Sequence, residues 1–173
     1  MARPDAAEPV IPGSAWSWPL TPPHPVLARF APGPQRWSPG HRGVDLGATA
    51  GAALLAPSDG VVSFAGAVAG RGVLVISHPN GVRTTYEPVA ALVGVGHPVR
   101  SGQIVGRVLA TGSHCAQATC LHWGALRGQT YLDPLSLLGL RPPPVLLPLL
   151  PLLPVGVRTA ATAPDGAGSA GLG

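Results

Sequence analysis

The sequence contains no lysine, since all 11 of its basic residues are arginine. Biotin- and lipoyl-type carrier domains need a lysine for attachment of the cofactor, so this absence excludes that class of protein. Charge is also scarce, at 10% of residues, and the arginines are scattered along the chain. Nucleic-acid binding usually requires basic residues clustered on one face, so this distribution argues against a nucleic-acid partner.

Long uninterrupted apolar runs are absent as well. The most apolar segment, residues 142–154, is broken repeatedly by proline. A membrane-spanning helix needs about 20 consecutive apolar residues, so no membrane span is predicted. Residues 1–8 contain no apolar run of the kind found in a signal peptide, and none is predicted from the printed sequence.

Glycine and proline are abundant, with 24 and 22 residues in a chain of 173. This composition favours turns and short strands over long helices. The length fits one domain with a real core, and we expect a monomer. We predict a disordered lead at 1–15, a domain at 16–140, and a Pro/Leu-rich then Gly/Ala-rich tail at 141–173.

Short apolar and β-branched runs predict an all-β fold built from antiparallel strands. Asn80-Gly81 predicts a tight hairpin, and valines alternating with glycines over 93–108 are typical of barrel-sandwich turns. Asp133 followed by Pro134 predicts the start of a short C-terminal helix. The remaining runs that carry the prediction lie at 16–20, 26–30, 52–56, 61–65, 72–77, 82–86 and 120–126.

The segment 40–47 reads Gly-His-Arg-Gly-Val-Asp-Leu-Gly and places His41 and Asp45 in what we predict to be a glycine-fenced loop. A second histidine, His122, lies far downstream in a short predicted strand. Two imidazole nitrogens and one carboxylate oxygen form an open zinc site, which leaves a fourth position for water. The alternative is a polar loop in which His41 and Asp45 form a local hydrogen bond.

Three motifs, at 40–47, 56–62 and 121–124, together resemble the lysostaphin/LytM-type zinc metallopeptidases, which cleave peptide bridges of bacterial cell walls. The resemblance runs from about residue 16 to 140. It implies a small all-β barrel-sandwich domain of the duplicated hybrid motif type and a location outside the cell or in the cell wall. It also implies one Zn²⁺ bound by His41, Asp45 and His122, and peptidoglycan peptide as the substrate.

The resemblance breaks at the two further histidines that the family uses for catalysis. Their places are taken by Pro88 and Cys120. Two functions therefore stay open: a zinc metalloendopeptidase of weak activity on peptidoglycan peptides, or a degenerate relative. Such a relative would bind cell wall or regulate a partner hydrolase without cutting.

Two residues could supply the missing acid–base group. His114 lies in a Gly-Ser-His loop just before the last strand and is the candidate catalytic residue, the alternative being a solvated loop histidine. Glu87 is next to Pro88, and in a regular strand its side chain would point to the opposite face. We therefore do not expect Glu87 at the site.

The two cysteines, Cys115 and Cys120, are five residues apart. This spacing fits a small disulfide loop in an oxidising compartment. Alternatively, Cys120 could bind the metal as a thiolate and close the site with a fourth ligand. The exported setting that the family resemblance implies favours the disulfide.

Overall fold

The computed structural model describes residues 16–35, 37–115 and 118–139. The predictions for 1–15 and 141–173 lie outside the described residues. Within them the chain forms antiparallel β-strands and one short helix, so the predicted all-β fold is confirmed. The strands are β1 (Val26–Ala28), β2 (Gly43–Gly47), β3 (Ala53–Leu55), β4 (Gly60–Val68), β5 (Arg71–Ser77), β6 (Val82–Glu87), β7 (Val89–Ala91), β8 (Pro98–Val99), β9 (Ile104–Val108), β10 (Cys120–Arg127) and β11 (Thr130–Leu132).

The strands form two antiparallel sheets. The larger has the order β1-β2-β10-β6-β5-β4-β8, with β11 also paired to β10, and the smaller has the order β3-β9-β7. The predicted hairpin at Asn80-Gly81 joins β5 to β6, and Gly81 has the positive φ of 77° that such a turn requires. Two strands far apart in sequence, β2 and β10, are neighbours inside the larger sheet.

Alternation along β2 and β10 separates the core from the opposite face of the sheet. Val44 and Leu46 of β2 are fully buried, as are Leu121 and Trp123 of β10. Successive side chains of a strand point to opposite faces, so the residues between them face the other way. The apolar positions anchor both strands, and the polar positions between them are held over the sheet.

Two predictions about local structure were wrong. Residues 16–20 do not form a strand; they contact the domain through isolated hydrogen bonds, such as that from Leu55 N to Pro19 O at 2.8 Å. Proline has no N–H to donate, so this segment cannot form a regular ladder. The predicted loop over 40–47 is instead largely strand β2, because burial of Val44 and Leu46 holds it in the sheet.

The predicted C-terminal helix is confirmed as α1 (Pro134–Leu137). Asp133 is its N-cap, and its carboxylate accepts a hydrogen bond from Leu135 N at 3.0 Å. Among the described residues, no helix has the length and apolar character needed to cross a membrane.

A buried polar chain lies under the β5–β6 hairpin. Tyr86 donates to Thr84 Oγ1 at 2.7 Å, Thr84 donates to His78 Nε2 at 2.9 Å, and His78 Nδ1 donates to the Asp59 carbonyl at 2.8 Å. Burial raises the pKa of Tyr86, so its hydroxyl remains a donor. Burial also lowers the pKa of His78 from 6.5, against the opposing effect of the Asp59 carbonyl and charge. This row of hydrogen bonds therefore requires His78 to be neutral.

We expect the domain to lose stability as the pH falls below 6.5, the ordinary pKa of His78. The unfolded chain then binds a proton that the folded chain resists, so the free energy of unfolding falls by at most about 1.4 kcal/mol per pH unit. Urea unfolding between pH 7.5 and 5, with chelator present, measures this effect. His78→Gln should be less stable at pH 7.5 but have a flatter profile, whereas His97→Gln, at an exposed site, should match wild type. Parallel profiles for wild type and His78→Gln would contradict the assignment.

Candidate metal centre

Three side chains form a row across the larger sheet. His122 of β10 is paired directly with Asp45 of β2 on one side and with Glu87 of β6 on the other. Directly opposed residues in an antiparallel pair lie on the same face, with Cβ atoms about 4.5–5.5 Å apart. The sheet register thus brings Asp45 and His122, 77 residues apart in sequence, into hydrogen-bond contact at 2.9 Å.

His41 joins this row from the segment just before β2. Its backbone pairs with Ala31 through two hydrogen bonds of 2.9 Å, and its Nδ1 donates to the Arg29 carbonyl at 2.7 Å. A carbonyl only accepts, so the proton of neutral His41 is on Nδ1 and the lone pair is on Nε2. Nε2 faces Asp45 Oδ1 at 3.1 Å.

The three predicted ligand atoms form a nearly equilateral triangle. His41 Nε2 lies 3.2 Å from His122 Nδ1, and Asp45 Oδ1 lies 3.1 Å from the first and 2.9 Å from the second. Tetrahedral zinc with bonds of about 2.0–2.1 Å has ligand–ligand edges of roughly 3.3 Å. The spacing and the lone pair on His41 both fit such an ion.

Asp45 is the electrostatic centre of the cluster and is only 3% exposed. Burial by itself raises the pKa of a carboxyl group, but hydrogen bonds from His122 and His114 and the charges of His114 and His41 outweigh it. The pKa of Asp45 falls from 3.8 to about 2. Asp45 is therefore an anion at neutral pH, as a zinc ligand must be.

His114 reaches the same carboxylate from the loop before β10. Its Nε2 lies 2.9 Å from Asp45 Oδ2, the oxygen that the other two histidines leave available. The potential ligand atoms of His41, Asp45, His114 and His122 all lie within 4.8 Å of one another. The side chain of His114 is 40% exposed, so a substrate could contact it. The structure thus places His114 beside the cluster and not in a separate solvated loop.

Cys115 and Cys120 are joined by a disulfide, with their Cα atoms 6.1 Å apart. This distance is within the range that a disulfide spans. A disulfide sulfur is not a thiolate, so the alternative in which Cys120 binds the metal does not apply to the oxidised chain. Cys120 is fully buried at the start of β10, two residues from His122.

The place of the family's other histidine, Pro88, lies between β6 and β7. A Cβ on Gly112 would come within 3.4 Å of Pro88 Cβ and 3.1 Å of Arg71 Cγ. The loop that carries His114 therefore passes over Pro88. Neither Pro88 nor the oxidised Cys120 offers a group that exchanges a proton.

The prediction that Glu87 faces away from the site was wrong. Its pairing with His122 puts both side chains on one face of the sheet. The prediction assumed that Glu87 and Pro88 lie in one regular strand with side chains on opposite faces, but β6 ends at Glu87. Glu87 forms a 3.0 Å ion pair with Arg71.

Gly43 is a site residue that the sequence reasoning missed. A Cβ at this position would lie 2.4 Å from the Trp123 carbonyl oxygen of β10 and 2.7 Å from both Cε1 and Nε2 of the His122 ring, closer than real Cβ contacts. Only glycine lets the ring lie against β2. The sequence shows a glycine two residues before Asp45, but it does not show which strand pairs with this glycine.

Comparison with known proteins places the chain in a family. The model for Peptidase family M23 matches residues 39–134, more than half of the 173-residue chain. Uncharacterized protein Rv2891 of Mycobacterium tuberculosis is 45% identical over 133 residues, covering 75% of this chain and 53% of the relative. The chain therefore spans about half the length of the curated relatives that it matches first.

Solved structures agree with the family match. The catalytic domain of the antimicrobial peptidase lysostaphin from Staphylococcus simulans is 26% identical with a TM-score of 0.57, covering 67% of this chain and 92% of that domain. A zinc containing peptidase from Vibrio cholerae is 25% identical with a TM-score of 0.58, covering 68% of this chain and 38% of that one. The family match, the fold and the ordered motifs agree, and the chain belongs to peptidase family M23, with the lysostaphin/LytM-type metallopeptidases.

Proposed function

We propose that the domain is a zinc-dependent endopeptidase that cleaves peptides of bacterial peptidoglycan outside the cell or in the cell wall. His41, Asp45 and His122 hold the zinc, and His114 supplies the acid–base group. The triangle of ligand atoms with edges of 2.9–3.2 Å carries the proposal. The lysostaphin/LytM resemblance supports the peptidoglycan substrate.

The zinc and the residues around its ligands have separate roles. Zinc held there would polarise a peptide carbonyl and lower the pKa of a bound water toward about 7. The Arg29 carbonyl orients His41, and Gly43 makes room for His122. Such supporting contacts keep the ligand nitrogens in the geometry that binding requires.

His114 can take over proton transfer because Asp45 holds it in place. With Nε2 donating to Asp45 Oδ2 at 2.9 Å, Nδ1 of the neutral ring is left as the acceptor. In the proposed reaction Nδ1 takes a proton from the attacking water and returns one to the leaving amine, steps worth about 10²–10⁴-fold. A second candidate function is binding of cell-wall peptides, or regulation of a partner hydrolase, without cleavage. The absence of a proton-exchanging group at Pro88 and Cys120 favours it.

We expect wild-type protein to bind one zinc per chain through the three proposed ligands. His122→Ala should weaken zinc binding by more than about 100-fold, the upper end of the cost for residues that only support ligands. Competition titration with a chromophoric chelator measures the affinity. His97→Ala removes an exposed histidine outside the cluster and should bind zinc as wild type does. Zinc-loaded wild type that carries no metal after gel filtration would refute the proposed centre.

Gly43→Ala tests whether the space beside His122 matters for zinc binding. The added methyl would press on both the Trp123 carbonyl of β10 and the His122 ring, so we expect zinc affinity to fall by about 10–100-fold, as for loss of a supporting contact. Gly94→Ala is the matched control, because a Cβ there has no neighbour within 4 Å. Equal affinities for the two variants would show that the ring relaxes without cost.

His114→Ala separates the two candidate functions. We expect it to keep its zinc but to lower cleavage of cross-linked stem peptides or pentaglycine by about 10²–10⁴-fold. Product analysis by mass spectrometry, with and without chelator, measures turnover. Unchanged turnover would exclude His114 as the acid–base group, and loss of zinc would make it a ligand. Zinc-loaded wild type that binds peptide but never cleaves it would favour the second candidate.

A further inference from the structure

We propose that the Cys115–Cys120 disulfide is the device that positions His114 at the metal centre, so that catalysis depends on this bond. The inference rests on the proposed function, in which His114 is the acid–base group. Cys120 occupies the place of a family catalytic histidine. In this chain Cys120 thus removes the imidazole at that place. Through its disulfide with Cys115, it brings the imidazole of His114 to the site instead.

The disulfide ties the His114 loop to a rigid part of the sheet. Cys115 follows His114 directly, and its partner Cys120 is fully buried in β10 and paired with Gly47 of β2. His122 lies on the same face of β10, two residues further on. One strand therefore carries both a metal ligand and the anchor of the proposed acid–base residue.

Few hydrogen bonds tie the described residues between Ser113 and Thr119 to the rest of the domain, and one of them runs from Ala48 N to the Thr119 carbonyl at 3.1 Å. Ser113 Oγ accepts from Cys120 N at 3.2 Å and lies 3.3 Å from the Ala118 carbonyl, and both contacts stay within the loop and its junction with β10. The His114 side chain has one described hydrogen bond, to Asp45. Gly112 has a φ of 86°, a conformation that permits the sharp turn into the loop but does not hold His114 in place.

The three proposed ligands do not depend on the loop. Asp45 and His122 are held by the β2–β10 register, and His41 by its pairing with Ala31. Loss of the disulfide should therefore release His114 and leave the zinc bound. Turnover would then fall while the zinc content stays unchanged, whereas a general loss of structure would lower both.

Serine substitutions test this separation without a thiol reductant, whose thiolate would itself bind zinc. We expect Cys115→Ser/Cys120→Ser to hold one zinc per chain while turnover falls to within about twofold of that of His114→Ala. Adding His114→Ala to the serine pair should change turnover by less than about twofold, because both changes remove the same group. Cys115→Ala/Cys120→Ala, which leaves no thiol beside the zinc and buries no hydroxyl at position 120, is the second variant in case the serine pair impairs folding.

A pH–rate profile, with a control variant, distinguishes positioning of His114 from general destabilisation. The pH–rate profile of the serine variant should lose the same limb that His114→Ala loses. Val99→Ala truncates a buried residue on β8, at the other end of the sheet order from β2, and should keep the wild-type profile. Wild-type turnover in the serine variant, multiplicative effects of the two changes, or loss of zinc would each overturn the inference.

A readout independent of cleavage separates this inference from the proposed function. In cobalt-substituted protein with labelled histidine, the imidazole signals of His41, His114 and His122 are displaced by the paramagnetic ion. We expect the His114 signal alone to move toward its unshifted position in the serine variant. An unchanged His114 signal would refute the positioning role, whereas zinc-bound wild type without cleavage would refute the proposed function.

Discussion

The buried carboxylate of Asp45 is the interaction on which the site depends. It is 3% exposed, and three imidazoles converge on its two oxygens at 2.9–3.1 Å. An ionised carboxylate is costly to bury unless it is paired, and hydrogen bonds from His114 and His122 pair it here. Asp45 also links two functions, because Oδ1 faces the proposed metal ligands and Oδ2 holds the proposed acid–base residue.

The sheet supplies the precision of this arrangement. Val44 and Leu46 flank Asp45 in β2 and are fully buried, so a slip of one residue would expose both and bury the carboxylate in the core. Gly43 then lets the His122 ring lie against the neighbouring strand. Apolar burial thus sets the register, and the register sets the distances between ligand atoms.

The altered catalytic positions limit where the proposed acid–base group can come from. Pro88 and Cys120 have no proton to exchange in the oxidised chain, and two polar side chains lie beside the cluster. His114 enters from the loop over Pro88, and Glu87 shares a face with His122 but is held in an ion pair with Arg71. The ion pair occupies the Glu87 carboxylate, which leaves His114 as the better-placed group.

The sequence by itself determined the family, the antiparallel β class, the helix cap at Asp133 and the three candidate ligands, because these follow from short motifs and local periodicity. Only the tertiary structure decided that residues 43–47 are a strand inside the larger sheet, that Glu87 shares a face with His122, and that Gly43 borders His122. It also decided that His114 meets Asp45 across 69 residues of chain. Each of these depends on the pairing of β10 with β2 and β6, a long-range register that local sequence patterns do not contain.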